Sequence, residues 1–135
     1  MPDNRKELIL YRLQTAKERL HSSQLLLREK SYKDSINRSY YAMFTSVRAL
    51  LAMDGQDFSK HAGVIAYFQK EYIKTGKFDK KYSKYISQAF QIRNNTDYSD
   101  FFIVSVQDAQ EQYEKAKEFF EMIKAYLQIK INSIQ

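Results

Sequence analysis

The chain has 135 residues, 44% of them hydrophobic, with three glycines, one proline and no cysteine. That is about one domain's length, with apolar material for a single core, no disulfide or zinc-finger framework and little material for hairpin turns. A formal charge of +6 with a pI near 9.4 permits polyanion binding without requiring it.

Abundant helix formers throughout predict an all-α fold: a single domain, residues 1–135, built as an antiparallel up-and-down bundle of about five helices. Charged residues fill Asp3 to Glu7, so no signal peptide is expected and the expected compartment is the cytoplasm. Apolar runs such as Tyr40 to Phe44 fall far short of the roughly 20 residues of a membrane span, so no membrane partner is expected.

The first helix is expected over about Asn4 to Glu29, capped by Asp3 or Asn4, with Ile9, Leu13, Ala16, Leu20 and Leu27 as its stripe and Ser23 interrupting it. His21 lies beside that stripe without a second ligand at metal spacing. No metal and no cofactor are expected. Ser31 offers a cap for a second helix running to Asp54 and stopped by Gly55. Its face, Ile36, Tyr40, Met43, Val47 and Leu50, widened by Tyr41, Phe44 and Leu51, is broad enough for a central helix. The hydroxyls of Tyr40 and Tyr41 need partners there, and structural hydrogen bonds are the expected ones.

A third helix is expected from about Lys60 to Ile73 with Ser59 as cap, its inner face made by His61, Ile65, Phe68 and Tyr72, and its end at Gly76. In the first turn His61 meets the positive end of the helix dipole, which favours neutral imidazole. It is either packed and bonded to backbone or held as a base or acceptor. Between Lys70 and Lys84 six lysines outnumber Glu71 and Asp79 and alternate with Tyr72, Phe78, Tyr82 and Tyr85. A solvated helix face is the expected reading of that run, and a nucleic-acid surface the alternative. From Asp97 to Glu121 the balance turns acidic.

The fourth helix, about Asp79 to Asp97, carries an anomaly. Tyr82, Ile86, Ala89 and Phe90 form an apolar stripe, and continuing its steps gives Arg93 and then Asp97. A charge aimed at a core costs several kcal/mol, roughly, unless paired or bound. The pair is therefore a structural tie or a site. After a connection from Ser99 to Phe102, whose aromatics are expected to fold onto the core, Ser105 to Asp108 resembles a capping box. It opens a fifth helix to about Ile131 with Ala109, Tyr113, Ala116, Phe120, Ile123 and Leu127 facing inward.

Four segments in order, Ser35-Ile36-Asn37-Arg38-Ser39-Tyr40-Tyr41-Ala42-Met43-Phe44, Lys60-His61-Ala62-Gly63-Val64-Ile65, Lys74-Thr75-Gly76 and Arg93-Asn94-Asn95-Thr96-Asp97-Tyr98, resemble the HEPN domain family over nearly the whole chain. The resemblance implies a helical bundle, usually a homodimer with its polar motif near the dimer cleft, and often a minimal nucleotidyltransferase partner. The family name refers to nucleotide binding, and many members are metal-independent ribonuclease toxins. Those members carry a polar residue after the arginine and a histidine four to six positions beyond it. Here Arg93 and Asn94 match, but Asp97, Tyr98 and Ser99 follow and no histidine occurs after His61.

Metal-free RNA cleavage needs a group that takes a proton near pH 7 and a cation that holds the phosphate. Arg93 supplies the cation. Asp97, with an ordinary pKa of about 3.9, is a poor base, and Tyr98, at about 10, stays protonated. Three readings follow: a nucleotide- or RNA-binding subunit that uses Arg93, Asn94, Tyr98 and Lys60 beside a nucleotidyltransferase in a toxin–antitoxin type system; a ribonuclease using Arg93 with His61 or Asp97; and a structural adaptor. The first is preferred. In such systems the nucleotidyltransferase attaches AMP to a tyrosine; that position falls on Asp100 here, leaving Tyr98 as the nearby candidate.

Overall fold

The computed structural model describes residues 3–98 and 102–134, with their side chains except those of Asp3, Asp97, Tyr98 and Ile134. The expected connection at Ser99, Asp100 and Phe101 lies outside the described residues, as do the side chains of Asp97 and Tyr98. Five α-helices make up the fold, α1 (Asp3–Arg28), α2 (Tyr32–Asp54), α3 (His61–Phe68), α4 (Lys81–Tyr98) and α5 (Val106–Ile134), and no strand occurs among the described residues. None of these helices is long and apolar enough to cross a membrane.

Cross-helix hydrogen bonds fix the pairing directions. Arg5 bonds the Met53 carbonyl, Arg12 the Arg48 carbonyl and Ser23 the Ser35 carbonyl, so α1 and α2 run antiparallel. Tyr85 bonds Glu118 while Gln88 meets Gln112 and Lys115, so α4 and α5 do too. The α1–α2 turn is made at Lys30 in the left-handed region (φ 65°), with Ser31 N–H returning to the Leu26 carbonyl. Ser23 breaks the apolar stripe for a packing reason. Its fully buried hydroxyl lies 3.1 Å from Ser35 Oγ and 2.7 Å from Ser39 Oγ, so three small side chains satisfy one another where the helices approach.

The central position expected of α2 is observed: it packs against α1, α3, α4 and α5. Tyr40, Met43, Val47, Leu50 and Leu51 are fully enclosed. Facing them are Ile9 and Ala16 of α1, Ile86 of α4 and Phe119, Ile123 and Leu127 of α5. Gly55 stops α2 in a left-handed turn (φ 69°), its N–H reaching the Ala52 and Leu51 carbonyls.

Two cap expectations need correction. Ser31 makes no side-chain cap bond. Lys60, not Ser59, occupies the cap position of α3. The α4 cap is Asp79, whose carboxylate accepts from the Lys81 N–H at 2.9 Å. The capping box of α5 forms in part, with Asp108 N–H donating to Ser105 Oγ. The third helix also changes character. Past Phe68 it widens into a π-helical turn, Gln69–Ile73, which ends before Gly76 (φ 78°). That turn carries the buried Tyr72, whose hydroxyl, like that of Tyr67, donates to Asp54 Oδ2 at the end of α2 (2.6 and 2.9 Å).

Candidate nucleotide site around Arg93

Two adjacent tyrosines of α2 gather the expected site residues. Tyr40 is fully buried and Tyr41 half-buried, because consecutive helix positions lie about 100° apart and the apolar face ends between them. From α4, Arg93 reaches both rings, its guanidinium carbon 5.9 Å from the Tyr40 centroid and 5.5 Å from that of Tyr41. Arg93 Nη2 donates to the Tyr41 hydroxyl at 2.9 Å and Nη1 to Asn94 Oδ1 at 3.3 Å. Arg93 is half-buried, so the oily stripe turns polar where α4 leaves the core.

From α3, His61 meets the same two rings, with centroid separations of 5.8 Å to each, and stacks on Phe44 at 4.0 Å. Its Nδ1 lies 2.8 Å from the Tyr40 hydroxyl, so its partner is a phenol and not the backbone expected from sequence. Burial holds the imidazole below its ordinary pKa, and the positive charges of Arg93 and Arg48 lower it further. The helix-dipole argument thus gave the right direction, with desolvation as the main cause.

The proton on this imidazole can be placed. Burial raises the Tyr40 pKa far above that of a free phenol, so its hydroxyl keeps its proton and needs an acceptor. His61 Nδ1 is the acceptor in hydrogen-bond reach among the described residues. Neutral His61 therefore carries its own proton on Nε2 and presents a donor. A donor suits an anion. It does not suit the removal of a proton from a ribose hydroxyl.

Of the other expected residues, Lys60 is exposed, next to His61, with the extended backbone of a cap position (φ −111°, ψ 144°). Asp97 and Tyr98 belong by backbone to the last turn of α4, on the C-terminal side of Arg93. A cleft of about 470 Å³ opens beside this cluster. Tyr41, Phe44 and His61 form one wall, and Arg12, Arg19 and Arg48 the others. Sequence reasoning missed these arginines. For Arg12 and Arg19 the signal is a second stripe, Leu8, Arg12, Thr15 and Arg19, one residue behind the apolar stripe of α1, and Arg48 has none.

A HEPN domain family model matches residues 9–126, most of the chain and all of the cluster just described. The chain belongs to the HEPN domain family. A UPF0332 protein of Thermotoga maritima is 36% identical over 93% of this chain and 96% of its own length. Two proteins of Methanocaldococcus jannaschii, each named "Putative toxin", are 32% identical over 85% of this chain and 78% of theirs, and 33% identical over 70% of each. The HEPN match accounts for the order of the four segments noted in the sequence, and in this HEPN domain α2, α3 and α4 bring Tyr40, Tyr41, His61 and Arg93 together.

Proposed function

We propose that this HEPN domain is a nucleotide- or RNA-binding subunit of a toxin–antitoxin type system, acting in the cytoplasm as a homodimer with a minimal nucleotidyltransferase partner, and that its ribonuclease motif is degenerate. The supporting observation is Arg93 held half-exposed against the Tyr41 ring and hydroxyl, with Asn94 beside it and Lys60 and His61 at the neighbouring helix start. A guanidinium fixed on an aromatic face is preorganised for a phosphate, and the adjacent ring offers a base a surface to stack on. The names of the Methanocaldococcus relatives fit a toxin setting.

One observation keeps a ribonuclease reading in view: His61 and Arg93 share the Tyr40 and Tyr41 rings. Against it stands the Nε2 proton of His61, which leaves the ring no free acceptor at neutral pH. Titration of purified protein with a fluorescein-labelled decauridylate tests both readings. Arg93→Ala is expected to weaken binding at least about tenfold, as loss of a charge-assisted phosphate contact does, and the oligonucleotide is expected to remain intact on a gel. Unchanged binding together with a stability loss of about 1–3 kcal/mol identifies Arg93 as a structural tie. Cleavage that disappears in His61→Ala establishes the enzyme.

A further inference from the structure

The Arg93 cluster does not use the cleft on the other wall of Tyr41. Arg93 is not among its lining residues, whereas Arg12 and Arg19 of α1 and Arg48 of α2 are. Among the described residues no carboxylate lines it. Three arginines line one concave surface, and Arg12 and Arg48 repel each other there. Arg12 is held below its ordinary pKa by burial and then by Arg48, with Asp57 acting in the opposite direction, and Arg48 also depresses His61. An anion arriving in the cleft relieves this repulsion.

The three arginines are held differently. Arg12 Nη1 donates to the Arg48 carbonyl at 2.8 Å, which anchors the guanidinium across the α1–α2 seam. Arg48 leans outward to Asp57, 3.6 Å away in a largely exposed pair that a ligand can displace at little cost. Arg19, half-buried, stands one turn further along α1 past Thr15. His61 and Thr45 line the same cleft. At the mouth, Tyr11 is 70% exposed, a large ring left in water beside cations.

We propose that the Arg12–Arg19–Arg48 cleft is a second phosphate subsite, which seats a backbone phosphate of a single-stranded nucleic acid with a neighbouring base stacked on Tyr11. The inference rests on the nucleic-acid reading of the Arg93 site and extends it: Tyr41 bonds Arg93 and walls the cleft, so one strand passing over Tyr41 engages both. Forked guanidiniums match phosphate oxygens two at a time, and an exposed tyrosine face accepts any base. The site therefore reads backbone and stacking, not sequence.

The test uses the full chain and the labelled decauridylate, with Arg19→Glu and Tyr11→Ala as variants. Both side chains lie at the surface of α1, and thermal melts of the variants serve as the folding control. Arg19→Glu is expected to weaken binding tenfold or more and to flatten the salt dependence of log K by about 0.7, the loss of one phosphate contact to a single strand. Tyr11→Ala is expected to weaken it several-fold with the salt dependence kept. Binding lost in Arg93→Ala but unchanged in Arg19→Glu overturns the subsite and leaves the Arg93 reading standing. Binding lost in Arg19→Glu alone supports the subsite and removes Arg93 from the site. No binding by the wild-type chain overturns both. A decaglutamate peptide run as competitor separates ligand classes: displacement at concentrations equal to the oligonucleotide's identifies a docking site for an acidic protein segment and overturns the nucleic-acid assignment.

Discussion

Tyr40 and His61 show how a buried phenol decides the state of a neighbouring base. With its hydroxyl donating to Nδ1, Tyr40 stabilises the neutral ring, and burial together with Arg93 and Arg48 acts the same way. The folded pKa of His61 is thus below 6.5, its ordinary value. Between the folded pKa and 6.5 the unfolded chain binds more protons, so stability rises with pH across that window and is lost as pH falls through it. Proton NMR of the His61 ring should give a midpoint below 6.5. Tyr40→Phe removes the donor to Nδ1 and should move the His61 midpoint upward. A downward or absent shift would mean that the ring proton sits on Nδ1, which would return Nε2 to service as a base.

At the scale of helices, the serine cluster between α1 and α2 carries a stability prediction. Ser23→Ala removes the hydroxyl that meets Ser35 and Ser39 in a fully buried seam. The Ser39 hydroxyl then loses its partner, and the variant should lose about 1–3 kcal/mol, read as a lower urea midpoint at unchanged slope. A neutral result would show that the seam admits water. This seam also shows what was legible in the sequence. The helical periodicity of apolar residues placed all five helices, because burial of one face imposes it directly, and Ser23 registered as an interruption. Its partners lie 12 and 16 residues away on another helix, a distance that periodicity does not span. The same limit applies to the site. Arg93 was conspicuous because it broke a stripe, and His61 because it opened a helix. Arg12, Arg19 and Arg48 each occupy an ordinary half-buried position, and only the antiparallel pairing of α1 with α2 makes them a cleft. The π-helical turn after Phe68 had no sequence signal, since its apolar residues fit an α-helical period equally well.

Across the whole molecule, the basic excess divides into two unequal parts. The lysine-rich run from Lys70 to Lys84, with its interleaved aromatics, offers nucleic acid as the alternative to a solvated face, and one of its six lysines is answered within the chain. Lys81 pairs with Glu118 of α5 at 2.6 Å, and the acidic side chains Glu111, Glu114 and Glu121 line the same groove. Tyr72, one of the interleaved aromatics, is buried with its hydroxyl on Asp54, and Lys77 lies over its ring, 5.1 Å from the centroid. At Lys81 an opposite charge a few ångströms away cancels the field that a distant phosphate would feel. No carboxylate is among the described residues that line the arginine cleft, and its recorded counter-charge is exposed Asp57, which pairs with Arg48 and also acts on Arg12. Two surfaces of like sign should therefore behave differently. Replacing exposed Lys74, Lys77 and Lys84 together by alanine should change decauridylate affinity less than about threefold at 150 mM salt, because screened charges away from the strand act only at long range. The single Arg19→Glu change should cost tenfold or more in the same titration. A lysine triple variant that binds as poorly as Arg19→Glu would move the strand onto the α3–α4 face, where Lys81 would have to exchange Glu118 for a phosphate before it contributed.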